Sequence, residues 1–146
     1  MSTDDLSREF KELYDAWGDA IANKKYDWFE RHFAEDFHGT AQPWPTVSVN
    51  KQQMIELDKN IETMDVRWLQ VTARKFGETV LVTGVVHYMK EAFREGATLG
   101  GNMPSGSQLS ELVNGKNVLY IGGWRHNGNR WQIFDHHMIG LVNGVG

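Results

Sequence analysis

The sequence predicts an α+β protein, in which helices come first and pack on one face of a curved, mainly antiparallel sheet. Three observations support this fold class. Apolar residues recur at helical spacing in the first part of the chain. From Asp65 the apolar period falls from about 3.6 to about 2 residues, which is typical of strands. Turns at Gly77-Glu78 and Asn127-Gly128 divide this second part into two hairpins, which predicts a four-stranded meander.

The N-terminal segment predicts two helices. Residues 2–5, Ser-Thr-Asp-Asp, form a helix-start signature, and the first helix is expected to end near Asn23. Its apolar stripe consists of Leu6, Phe10, Leu13, Tyr14, Trp17 and Ile21. Asp27 is predicted to cap a short second helix, with Glu30 as its capping-box partner. The buried side of that helix is formed by Trp28, Phe29 and Phe33.

A short strand, a loop and a third helix are expected next. Phe37–Ala41 is predicted as the strand, and residues 42–45, Gln-Pro-Trp-Pro, as a rigid loop. Asn50 and Gln53 form another capping pair. The third helix should therefore begin there and continue through Met64.

The two hairpins occupy most of the remaining chain. Val66–Phe76 and Val80–Ala92 form the first, residues 93–108 form a glycine-rich mobile loop, and the last strand pair follows from Leu109. Alternation gives the last pair two faces. One face contains Tyr120, Gly122, Trp124, Phe134, His136 and Met138. The other contains Leu119, Ile121, Gly123, Trp131, Ile133, Asp135, His137 and Ile139.

Composition excludes several classes of protein. The chain has 146 residues, which fits a single domain over residues 1–146. A net charge of −4 argues against nucleic acid or an anionic membrane as partner. The absence of cysteine excludes disulfides and thiolate chemistry. No signal peptide or membrane-spanning run is recognised, so a cytoplasmic location is expected. Six Trp residues suit a pocket for a flat, apolar ligand.

Three segments, IANKKYDWFERHFAEDF, FGETVLVTG and NGNRWQIFDHH, occur in an order and spacing that resemble one superfamily. This is the nuclear transport factor 2-like superfamily in its SnoaL-like branch, which includes polyketide cyclases, scytalone dehydratase and ketosteroid isomerase. The resemblance implies a conical α+β barrel that encloses one deep pocket and dimerises through its outer sheet face. It does not imply one function, because enzymes, ligand binders and assembly modules share this fold.

The catalytic sets of the superfamily have no match here. The helix-one tyrosine and first-strand aspartate of ketosteroid isomerases correspond to Trp17 and Ala41. The acid and histidine of scytalone dehydratases fall near Trp17 and Asp65. The Asp-Arg-Asp triad of related epoxide hydrolases has no counterpart.

His136 is the first candidate for catalysis, because the resemblance turns its face toward the pocket and an imidazole can move protons near neutral pH. Tyr88 and Tyr120 are candidates to stabilise charge on a substrate oxygen. Each could instead be a core residue with a satisfied polar group. The expected pocket walls are Tyr14, Trp17, Trp44, Trp68, Trp124, Phe134 and Met138. Asp58 is expected at the solvent edge of the third helix.

Asp135 and His137 are expected to pair on the outer face, at a dimer interface. A one-residue slip in register would instead make them the acid-base pair of the pocket. Neither a metal nor an organic cofactor is expected, since His136 and His137 point apart and no other ligand set is visible in the sequence. The 93–108 loop is expected to act as a lid.

These features predict a cofactor-independent lyase, dehydratase or isomerase. It would act on a small, aromatic and phenolic molecule by general acid-base proton transfer, and work as a homodimer. The alternative is a non-catalytic ligand-binding or dimeric accessory module of the same fold. Activity lost in His136→Phe, with the fold retained, would favour the enzyme.

Overall fold

The computed structural model describes residues 3–97, 99 and 102–143. Its first helix, α1 (Thr3–Ala22), packs on the sheet along the predicted stripe. Phe10, Tyr14 and Trp17 are buried, whereas Leu13 is only partly covered. No helix in the described part of the chain combines the length and the apolar character that a bilayer crossing requires.

Two short helices, α2 (Asp27–His32) and α3 (Lys51–Lys59), follow α1. The predicted capping box at Asn50 is confirmed: its side chain accepts a hydrogen bond from the Gln53 amide, and its own amide donates to the Gln53 side chain, both at 2.9 Å. At α2 the prediction is wrong, because Tyr26 occupies the N-cap without a side-chain hydrogen bond. Helix α3 ends at Lys59 rather than at Met64, since the next strand begins at Ile61.

The strands form one curved, open sheet with helices on its inner face, which confirms the predicted fold class. The strand bounds are β1 (Phe33–Ala41), β2 (Trp44–Asn50), β3 (Ile61–Phe76), β4 (Thr79–Phe93), β5 (Asn117–His126) and β6 (Trp131–Val142). Their order is β2-β1-β6-β5-β4-β3, with β1 parallel to β6 and every other pair antiparallel. The predicted meander β3–β6 is present, and β1 and β2 extend it.

Two segments differ from the sequence-based expectation. Trp44 begins β2 instead of lying in a rigid loop. Helix α4 (Gly106–Val113) occupies residues assigned to the mobile loop and to the start of a strand. A capping box between Ser105 and Gln108 starts α4, and its buried Leu109 and Val113 attach it to the sheet.

A β-bulge between β5 and β6 shifts the alternation of side chains. In β6, Gly123 pairs with Asp135 and Trp124 pairs with Ile133, so Phe134 is an extra residue. Trp124 and Ile133 are both fully buried, whereas Phe134 lies over Gly123 on the other face. The predicted grouping of Phe134 with His136, and of Ile133 with His137, is therefore wrong on this side of the bulge.

Candidate functional site

A cavity of about 130 Å³ lies between α1, α3, α4 and the inner face of the sheet. Its wall is largely apolar, with Met54, Leu57 and Val86 among its residues. The polar or titratable side chains in the wall include those of Tyr14, Trp17, Asp58, Tyr88, Glu91, Tyr120 and His136. An engineered apolar cavity of about 150 Å³ binds benzene, so this cavity matches a molecule with a single ring.

Most of the predicted site residues lie in this wall, and three do not. His136, Tyr88, Tyr120, Tyr14, Trp17, Trp68 and Met138 line the cavity. Trp44, Trp124 and Phe134 are absent from its wall. Trp44 is half-buried at the start of β2, and Phe134 packs against the Arg125 guanidinium, 4.8 Å from its ring centre.

Trp124 lies behind the wall and holds Tyr14. The indole Nε1 donates a hydrogen bond of 3.1 Å to the Tyr14 hydroxyl, and the two rings meet edge to face at 5.6 Å. Gly122 allows this approach, since a Cβ atom there would overlap the Tyr14 oxygen. Trp124 therefore positions a cavity residue from behind.

The two tyrosine hydroxyls contributed by β4 and β5 form a pair. The hydroxyl oxygens of Tyr88 and Tyr120 are 2.6 Å apart. Burial raises the pKa of both phenols above the ordinary value, so both remain protonated near neutral pH. One hydroxyl donates to the other, which leaves the second O–H free to donate to a ligand oxygen.

His136 is buried beside these hydroxyls. Its ring stacks on Tyr120 with centres 4.8 Å apart and lies 4.7 Å from the Trp17 ring. Its Nδ1 atom has no hydrogen-bond partner among the described residues. Burial, and secondarily the nearby His137, lower the pKa of His136 to about 3, so the ring is neutral. A neutral ring of this kind is a weak base but still offers one donor and one acceptor.

Asp58 lies inside the cavity wall, which corrects the prediction of a solvent-edge position. It is 2% exposed and accepts a 3.0 Å hydrogen bond from Trp17 Nε1. Burial is the main cause that raises the pKa of Asp58 to about 8, and the charge of Glu91 adds to it. A carboxyl group in this state keeps its proton near neutral pH.

Glu91 is a second buried carboxyl, and sequence reasoning missed it. Met89 is an extra residue in β4, because Asp65 pairs with Lys90 and Val66 with Tyr88. The bulge turns Glu91 inward, to 7% exposure, although it lies three positions after the inward Tyr88. Burial raises the pKa of Glu91 to about 7.

The backbone around Glu91 is clamped by the residue that ends α4. Asn114 Oδ1 accepts from the Glu91 amide at 2.7 Å, and Asn114 Nδ2 donates to the Glu91 carbonyl at 3.0 Å. Burial thus raises the pKa of both carboxyl groups in the wall, Asp58 and Glu91, toward neutral pH.

Part of the predicted lid reaches the cavity. Met103 lines it, and the side-chain amide of Asn102 donates a hydrogen bond to the Thr46 carbonyl. Residues 98, 100 and 101 of the predicted lid lie outside the described residues.

Comparison with known proteins identifies the fold. Neither a protein-family model nor a curated protein matches the sequence. An NTF2-like protein from Cytophaga hutchinsonii is 15% identical, with a TM-score of 0.68 over 96% of this chain and 99% of that one. A candidate dehydratase of the NTF2-like family from Streptomyces avermitilis is 14% identical, with a TM-score of 0.64 over 97% and 99%. The association domain of C. elegans CaMKII is 11% identical, with a TM-score of 0.66 over 93% and 96%.

At these identities the similarity shows the fold. The chain has the NTF2-like fold, as the three sequence segments predicted. Function must be argued from the cavity itself, because proteins of this fold carry out unrelated tasks.

Proposed function

We propose that this protein is a lyase, dehydratase or isomerase of the SnoaL-like kind that moves a proton on a small molecule with one aromatic ring. The observation that carries the proposal is the pair of buried carboxyl groups in an apolar cavity. Burying a carboxyl group is costly. Carboxyl groups with strongly shifted pKa values are therefore concentrated at functional sites. Asp58 and Glu91 titrate near neutral pH, where general acid-base catalysis is most effective.

We assign one role to each carboxyl group. Glu91 would be the base that removes a proton from a carbon or from a ring hydroxyl of the substrate, and Asp58, whose raised pKa keeps it protonated, would be the acid that delivers its proton to a leaving oxygen or to another carbon. In an elimination this forms a C=C bond, breaks a C–O bond and releases water. Glu91 then gives its proton up to solvent, and Asp58 takes one up from solvent.

The remaining polar groups suit a substrate oxygen. The free O–H of the Tyr88–Tyr120 pair would donate to an oxygen that gains negative charge. His136, neutral and without a partner on Nδ1, would hold a second polar atom. This assigns His136 to binding, whereas the sequence suggested that it moves the proton. Trp17, Trp68 and Tyr14 would contact the ring, which favours phenols.

The proposed chemistry uses neither a metal nor an organic cofactor in the cavity. Glu91 takes up the proton that the substrate loses and Asp58 supplies the proton that the substrate or the leaving group gains, so elimination and isomerisation balance with the substrate alone. Met103, which lies between β4 and α4 and lines the cavity, would help to exclude water from the intermediate.

The experiment is an assay of Glu91→Gln and Asp58→Asn against a panel of single-ring phenols with hydroxylated side chains. Incubation in D2O followed by NMR detects proton exchange as well as products. Either substitution should lower the rate roughly 10²–10⁴-fold. Glu62→Gln, at an exposed position on β3, is the matched control and should keep full activity.

Two results would contradict the enzyme proposal. One is ring binding with neither exchange nor product in the native protein, which would favour the non-catalytic ligand-binding module. The other is an unchanged rate in both carboxyl variants. Far-ultraviolet circular dichroism of each variant verifies that the fold is retained.

We also propose that the protein forms a homodimer through the outer sheet face. Leu81, Ile121 and Ile139 are exposed there on three adjacent strands. Exposed apolar side chains on one face of a sheet are a feature of protein interfaces. The similarity to the association domain of C. elegans CaMKII supports an assembly role for this fold.

A further inference from the structure

A second cluster of polar side chains lies on the outer face of the sheet, where β1 runs parallel to β6. His38 pairs with Asp135 and Thr40 pairs with His137 across these strands. Alternate residues of a strand point to the same face, so these four side chains lie together. His136, which lies between Asp135 and His137 on β6, points the other way into the cavity.

Three atoms of this cluster that could act as metal ligands lie close together. His38 Nδ1 is 3.7 Å from Asp135 Oδ1, and His137 Nε2 is 2.9 Å from the same oxygen. One potential ligand atom from each of His38, Asp135 and His137 lies within 4.8 Å of the other two. A tetrahedral zinc ion with bonds of about 2.0–2.2 Å holds its ligand atoms roughly 3.3–3.6 Å apart. Small side-chain rotations would bring the three atoms to these separations.

The other ring nitrogens are already held. His38 Nε2 lies 2.9 Å from Ser48 Oγ, and His137 Nδ1 lies 2.6 Å from Thr40 Oγ1. Metal-bound histidines nearly always donate their second N–H to such a partner, which fixes the tautomer and the ring orientation. In the metal-bound state both hydroxyls would accept, so that His38 Nδ1 and His137 Nε2 present lone pairs to the ion beside Asp135.

We propose that His38, Asp135 and His137 bind a divalent transition-metal ion of the Zn²⁺ type. Two imidazoles and a carboxylate suit such an ion, and three protein ligands leave a position open for water. In the single chain the three side chains are 53%, 41% and 26% exposed, so an ion can reach them from solvent in the monomer. Binding replaces the hydrogen bond between His137 and Asp135, and the single ring proton of neutral His137 then resides on Nδ1, toward Thr40.

This site is separate from the proposed reaction. It lies across the sheet from the cavity and ties the end of β1 to β6. The sequence suggested no metal site because only Asp135 and His137 were visible as a local pair. The parallel pairing of β1 with β6 brings in the third ligand, His38.

The test is calorimetric titration of the untagged protein with Zn²⁺. One ion per chain should bind, and His38→Ala and His137→Ala should each abolish or strongly weaken that binding. Thr40→Val, which removes the partner of His137 Nδ1, should weaken affinity roughly 10–100-fold. His126→Ala is the matched control, because His126 lies in the hairpin tip away from the cluster and should leave affinity unchanged.

Zinc affinity in His38→Ala equal to that of the native protein would overturn the proposal, as would the absence of zinc binding. His38 is exposed, so this variant tests the ligand role without disturbing the core. If His137→Ala fails to fold, Asp135→Asn takes its place. No readout depends on turnover, so failure here and failure of the acid-base proposal are distinguishable.

Discussion

His136 and His137 are neighbours in the sequence and occupy opposite environments. His136 is buried against Trp17 and Tyr120, has no partner on Nδ1, and has a pKa lowered to about 3 by burial. His137 is partly exposed and uses both ring nitrogens, toward Thr40 and Asp135. Strand alternation alone separates them, and the same sheet therefore carries a buried cluster on one face and a partly exposed one on the other.

The two faces should differ most in how far truncation of a side chain lowers stability, and the adjacent residues Ile133 and Phe134 test this difference. Ile133→Ala, in the fully buried core, should lower the free energy of unfolding by about 2–5 kcal/mol. Phe134→Ala, on the outer face, should lower it by about 1 kcal/mol, although a larger side chain is removed. Urea denaturation measures both. Equal losses would mean that Phe134 is as important to packing as the core.

The inner face should also make stability depend on pH. Asp58 and Glu91 have folded-state pKa values of about 8 and about 7, above their ordinary values of 3.8 and 4.5. The unfolded chain therefore loses these protons first as pH rises. The free energy of unfolding should fall as pH rises from about 4 to about 8. Denaturation at pH 5 and pH 8 should show a smaller fall in Asp58→Asn, and an unchanged fall would contradict the burial of this carboxyl group.

A substitution on the outer face should have the smallest effect on the free energy of unfolding. Ile121→Lys replaces an exposed apolar residue and should leave unfolding within about 0.5 kcal/mol of the native value. It should nevertheless weaken the proposed homodimer, because the lysine charge would be buried in the interface. Sedimentation velocity over a range of concentrations measures the association, and an unchanged dimer would place the interface elsewhere.

Local sequence patterns predicted much of the fold. The stripe from Phe10 to Trp17, the Asn50–Gln53 capping box and the Asn127-Gly128 turn each act over a few residues and are present as expected. The parallel pairing of β1 with β6 was not visible, because it joins segments far apart in the chain. Helix α4 was missed because the glycines that precede it suggested a loop through its first turn.

The candidate site was predicted less completely. Alternation and the family resemblance placed His136, Tyr88 and Tyr120 in the cavity wall, and their chemical roles stay predictions. Asp58 was misplaced because a carboxylate on an amphipathic helix ordinarily faces water. The inward orientation of Glu91 depends on the bulge at Met89. This bulge follows from the pairing of β4 with β3 and has no local signature in the sequence. The cytoplasmic location is likewise still a prediction.

The bulges at Met89 and Phe134 also bear on how this protein can change over evolution. Each holds one residue more than alternation requires, so loss of Met89 would leave Tyr88 and Glu91 on their present face. A one-residue deletion within a regular stretch of strand would instead invert every side chain beyond it. The chain can therefore lose the extra residue at either position while its cavity keeps the same lining. Residue-by-residue alignment with proteins of the same shape will lose its register at these points.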